Sequence, residues 1–170
     1  GGAYAHLESG QSFFDASFLA GNAEQKADRS VVFGPLGGKG TARFNTSEYA
    51  AHMRLGFVVP KVAKNLSLKP SFALLLNGYS QGAASESGLD GVGVITDKVT
   101  GTAWQTRLGT EATKLIKMGG KPADLSASVY WVHDADKGAR SVNTRFNGAN
   151  AGSYTAEGEA VGANALEIGV

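Results

Sequence analysis

Residues 48–59, EYAAHMRLGFVV, set Tyr49, Ala51, Met53, Leu55, Phe57 and Val59 on one parity and Glu48, Ala50, His52, Arg54 and Gly56 on the other. Side chains alternate between the two faces of a strand, whereas a helical period of 3.6 would draw Arg54 into the apolar stripe. The segment therefore predicts a strand with one apolar and one polar face. The same two-residue period recurs in residues 2–8, 12–20, 66–77, 104–112, 125–131 and 165–170. Seven strands are expected, and no segment carries a convincing helical stripe.

The connections alternate in length. ESGQ (8–11), PKVAKN (60–65) and MGGKPA (118–123) are short turns, while the polar stretches 22–40, 79–100 and 134–162 are long. Short turns at one end and long loops at the other are the signature of an up-and-down outer-membrane barrel. The chain carries 24 glycines, 4 prolines and no cysteine, with a net charge of +1. This composition suits a turn-rich β-protein and excludes disulfide staples and thiolate sites. Its near-neutral charge offers no field for nucleic acid. Three dispersed histidines lack metal-ligand spacing, so neither metal nor cofactor is expected.

Alternation alone fits two architectures. In a soluble sandwich or small barrel acting as a binding module, the apolar face meets a core. In a transmembrane barrel it meets lipid, and the polar face lines a wet lumen. Two features favour the membrane. His52, Arg54, Lys69, Arg107, Glu111, Tyr130 and Glu167 share the polar parity with many small residues, as expected of lumen-lining positions. Tyr49, Met53, Leu55, Phe57, Phe72, Leu74, Trp104 and Trp131 occupy the opposite, lipid-facing parity, with aromatics toward strand ends as in interface girdles.

Gly78-Tyr79-Ser80-Gln81-Gly82 satisfies G-x-S-x-G, the nucleophile elbow of serine hydrolases, and Asp97 or Asp124 and His133 follow it in chain order. The elbow requires a helix directly after the serine. The segment AASESGLDGVGV has Gly88, Gly91 and Gly93 there, and each mid-helix glycine costs ~1 kcal/mol relative to alanine. Ser80 reads as a loop serine, and no catalytic residue is assigned. EQKADR (24–29), GPLGGKG (34–40) and DADKGAR (134–140) read as solvated loops; the second lacks the spacing of a phosphate-binding loop.

The order of motifs carries a resemblance. NLSLKPSFALLLNGYSQGAASESGLDGVGV, then TAWQTRLGTEA, then LSASVYWVHD with Trp131 and His133, then the stretch beginning VNTRFNG, resemble successive strands and loops of autotransporter β-domains. FFDASFLAGNAEQKADRSV is similar to an earlier hairpin arm of that family. The resemblance implies a twelve-stranded antiparallel outer-membrane barrel of a Gram-negative bacterium. It implies anchoring and export of an N-terminal passenger that threads the lumen, with the barrel-assembly machinery and outer-membrane lipid as further partners. Residues 1–170 are then expected to be the central portion of one barrel, the fourth to tenth strands, with the N-terminal strands, plug helix and C-terminal strands outside it. Val170 is not the terminal aromatic of the family's last strand.

Overall fold

The computed structural model describes residues 1–33, 36–89, 91–135, 141–148, 152–158 and 162–170. Its strands, in chain order, are β1 (Gly2–Ser9), β2 (Ser12–Phe33), β3 (Leu36–Phe57), β4 (Val59–Ala63), β5 (Leu66–Gln81), β6 (Ala84–Ser85), β7 (Val94–Thr96), β8 (Val99–Met118), β9 (Lys121–Asp134), β10 (Ser141–Phe146), β11 (Ser153–Glu157) and β12 (Asn164–Gly169). Among the described residues there is no helix.

Seven long strands form one antiparallel sheet in the order β1-β2-β3-β5-β8-β9-β12, with β4 paired to β5 alone. Sequence neighbours are therefore spatial neighbours, the meander expected of an up-and-down barrel wall. The turns are tight where the sequence is short. Gly10, Gly119 and Gly120 have φ of 61°, 59° and 81°, left-handed values that glycine adopts without a Cβ penalty. In the third turn Lys61 (φ 57°) and Asn65 (φ 61°) take the same region, and the β4–β5 register shifts between Val59 and Ala63.

The register aligns the parities across the whole sheet. Leu7, Phe14, Leu55, Phe72, Leu108, Trp131 and Leu166 form one continuous row, apolar in all seven strands. A one-residue slip in any strand would send its half of this row to the polar face, so the pattern itself fixes the register. Among the described residues nothing covers this face. Leu55, Leu108 and Leu166 are 54%, 54% and 66% exposed, and no large side chain is fully buried among the described residues. The accessible surface is 11469 Å2 for 17.5 kDa, against about 7,900 Å2 for a compact soluble chain of that mass. The soluble module considered above needs a core that this sheet does not possess.

Three sequence expectations are corrected. The stretch 22–40 is not a loop: β2 and β3 pair without interruption from Ser12↔Phe57 to Phe33↔Leu36. Polar side chains on both parities hid this arm from a search for hydrophobic contrast. The backbone ladder holds it, and exposed cross-strand ion pairs add to it, Lys39–Asp28 at 3.5 Å and Arg43–Glu24 at 3.6 Å. Stretches 79–100 and 134–162 contain strands too. β6, β7, β10 and β11 form a second antiparallel sheet in the order β11-β10-β7-β6. Ser80 lies inside β5, in register with Ser47 and Thr100, rather than in a loop. Residues 34–35 of the glycine-rich run and 136–140 of the mixed-charge run lie outside the described residues.

Candidate functional site

The polar face of the large sheet is the candidate site. Register places His52, Arg54, Lys69, Arg107, Glu111, Tyr130 and Glu167 together on it, and Tyr49, Met53, Leu55, Phe57, Phe72, Leu74, Trp104 and Trp131 on the opposite face.

Two clusters organise the polar face. The first surrounds Asp15 of β2, whose side chain is 8% exposed. Arg54 reaches it across the β2–β3 pair, with Nε 2.9 Å and NH2 2.7 Å from Oδ2. His6 Nδ1 lies 2.5 Å from Oδ1, Tyr4 donates to the same oxygen at 3.2 Å, and His6 Nε2 meets Glu8 at 3.1 Å. A nearly buried carboxylate needs this many partners to remain charged. Beside it, Phe13 meets two cations, with Arg54 Cζ 5.0 Å and Lys69 Nζ 4.5 Å from the ring centroid. Tyr4, His6, Phe13 and Asp15 were not among the residues singled out by sequence. The signal was there: the short turn at 9–12 sets His6 opposite Asp15.

The second cluster lies on β8, β9 and β12. Arg107 meets Glu167 at 2.5 Å, and its guanidinium carbon sits 4.8 Å over the Tyr130 ring. Glu111 accepts from the Thr113 hydroxyl at 3.3 Å. Between the clusters is a cavity of about 290 Å3 whose lining includes His52, Ser71, Ser128 and Glu167. It offers charges of both signs and hydroxyls without a single dominant ligand geometry.

Two glycines make room for the aromatic rings of this face. A Cβ on Gly56 would stand 2.6 Å from Phe13 Cζ, and one on Gly109 would stand 2.6 Å from Tyr130 Cδ1. Each ring therefore packs against the neighbouring strand's bare backbone.

The hydrolase elements do not assemble. Ser80 sits in extended strand rather than a strand-to-helix turn. Asp97 pairs with Arg145 at 2.8 Å, His133 contacts Asn164 at 3.0 Å, and Asp124 is opposite Leu115 near the β8–β9 turn. Among the described residues no group of three or more His, Asp and Glu side chains could hold a metal.

An all-β meander with an uncovered apolar face and a charged opposite face points to a membrane barrel, and comparison specifies which. The family model described as Autotransporter beta-domain matches residues 1–170. The chain belongs to the autotransporter β-domain family. No individual curated protein matches it. As an autotransporter β-domain it is an outer-membrane translocator of Gram-negative bacteria, with a passenger segment as its cargo. That this family is built on strands explains why no helix among the described residues is long and apolar enough to cross a membrane.

Proposed function

We propose that residues 1–170 form the central seven strands of a twelve-stranded translocator, with the polar face as the conduit lining and the apolar face as the lipid contact. The continuous apolar row from Leu7 to Leu166 carries this reading, because its large side chains remain exposed and only a bilayer meets them all. β1 and β12 each have one unpaired edge among the described residues, where the remaining strands of the parent barrel would join. Those edges are also the surfaces that the barrel-assembly machinery would handle during insertion.

In this reading His52, Arg54, Lys69, Arg107, Glu111, Tyr130 and Glu167 line the lumen. Arg107 engages Glu167 and Tyr130, and Arg54 engages Asp15, so an extended passenger would slide past a hydrated, mixed-charge wall whose main cations are already paired. Tyr49, Met53, Leu55, Phe57, Phe72, Leu74, Trp104 and Trp131 face lipid. The domain performs no chemistry of its own, a reading supported by the strand placement of Ser80 and the dispersal of its would-be partners. Photo-crosslinking in the complete parent protein tests the assignment. A crosslinker at Tyr130 or Glu167 should capture the passenger during export, whereas one at Trp131 or Leu166 should not. Capture of equal strength from both parities would overturn it.

A further inference from the structure

The apolar face of the large sheet is not evenly filled. A hollow of about 450 Å3 opens on it, lined by Ala3, Ala5, Ala16 and Ala51 with the rings of Phe18 and Trp104. The register explains the hollow. Ala5↔Ala16↔Met53 and Ala3↔Phe18↔Ala51 bring alanines of three adjacent strands together, where a nearby row carries Phe14, Leu55 and Phe72. Above the hollow, the Tyr49 ring leans toward β5, where a Cβ on Gly78 would collide with it, and its hydroxyl lies 3.5 Å from that of Thr102 on β8. That leaves Ala20 alone on the β2 side of this row.

Higher on the same two strands, β2 and β3, the same parity becomes charged. A tilted membrane strand takes roughly 9–11 residues, so β2, counted from Ser12 after the short turn, leaves the hydrocarbon near Asn22. Lys26 follows four residues later, ~13 Å along the strand and ~9 Å higher at a 45° tilt. A long side chain that snorkels reaches the headgroup layer from there. Lys26 stands directly opposite Arg43, and like charges so placed destabilise a strand pair. Asp28 serves both Lys26 and Lys39, at 3.1 and 3.5 Å, while Glu24 meets Arg43 only at 3.6 Å. Three cations thus share two carboxylates, and Lys39 and Arg43 remain 64% and 69% exposed. An anion seated between Lys26 and Arg43 would relieve their opposition.

We propose that β2 and β3 hold one lipid of the outer leaflet, its acyl chain in the alanine hollow and its phosphorylated headgroup on Lys26 and Arg43. This rests on the translocator reading above, which puts the arm at the outer end of the strands. The hollow is apolar and opens on the face that meets the bilayer, so an acyl chain is the occupant at hand. A phosphate offers several acceptor oxygens to a lysine and an arginine at once. The spacing fits one molecule. From Ala51 to Arg43 is eight residues, ~26 Å of strand and ~19 Å of height at a 45° tilt, close to the ~20 Å from the bilayer midplane to the outer headgroups.

The test places the complete parent protein in vesicles of phosphatidylcholine and phosphatidylglycerol in equal amounts, then releases it in mild detergent for native mass spectrometry. Wild type should retain one phosphatidylglycerol in preference to phosphatidylcholine. Lys26→Ala with Arg43→Ala should abolish the preference. Ala16→Leu, an apolar change on a lipid-facing position, should lower retention several-fold while the heat-dependent gel shift persists. Retention at the wild-type level in either variant overturns the proposal, as does a wild type that carries no lipid or runs as a lipid-free pair of barrels. Each of those results leaves the barrel standing. Failure of wild type to insert at all overturns the translocator reading, and the lipid site with it.

Discussion

At the scale of single residues, the two faces differ in what they tolerate. Met53 and His52 are neighbours on β3 at one depth, on opposite parities. Arginine at a lipid-facing midplane position costs roughly 2–4 kcal/mol, and little where water is present. Met53→Arg should therefore lower the yield of heat-resistant barrel in the outer membrane severely, while His52→Arg should leave it near wild type. Equal losses would contradict the face assignment. Gly109 gives a second residue-scale prediction. A Cβ there would stand 2.1 Å from the Val129 carbonyl oxygen and 2.6 Å from the Tyr130 ring, and forcing a methyl into such a space costs about 1–3 kcal/mol. Gly109→Ala should lower the urea midpoint of the folded barrel and release Arg107 from its stacking partner. Gly21→Ala, where no atom lies within 4 Å of the new Cβ, should not. A midpoint unchanged by Gly109→Ala would show that the ring has other room.

At the scale of elements, the β2–β3 arm and the small sheet are where sequence and structure part. Wall strands were legible because apolar and polar residues alternate, as in Leu66, Leu68, Phe72, Leu74 and Leu76 against Ser67, Lys69, Ser71, Ala73 and Asn77. Their bounds were less so: β8 runs from Val99 to Met118, well beyond the alternating 104–112. The arm has no hydrophobic contrast to read, and its pairing depends on ion pairs that appear only once register is known. The small sheet is tied to the arm by contacts 57 residues apart in sequence, Arg29 to Glu86, with no local signal to reveal them. That tie should respond to pH. Arg29, and secondarily the Val94 amide, hold the Glu86 carboxyl below its ordinary 4.5. The stabilisation from a lowered carboxylate is fully present above its ordinary value and is lost as pH falls through the lowered one. Protease protection of residues 82–98 on intact cells should thus be flat from neutral pH to 4.5 and fall only below it. Asp28, held at about 2 first by the Thr41 hydroxyl and then by Lys26, keeps the arm's ion pairs intact through that window. Protection that fades between neutral pH and 4.5 would show that the Arg29–Glu86 pair is not what ties this segment down.

At the scale of the whole molecule, the division of labour follows from one alternating pattern read through one register. Fold class was legible from period and turn lengths, because a strand two-sided in polarity has few places to go. The lumen cluster was legible in part: Arg107 and Glu167 were on the expected parity, but their pairing needed β9 and β12 aligned through Tyr130↔Glu167. The contribution of Phe13 was hidden because an aromatic on a polar face looks like an exception until its two cations, Arg54 and Lys69, are placed. The central claim is that this sheet closes in the outer membrane with its apolar row in lipid. The direct measurement expresses the complete parent protein in a Gram-negative host, fractionates the envelope, and compares gel migration unheated and boiled. The account predicts urea-resistant outer-membrane association and a heat-dependent mobility shift. A periplasmic soluble protein with no shift would contradict it.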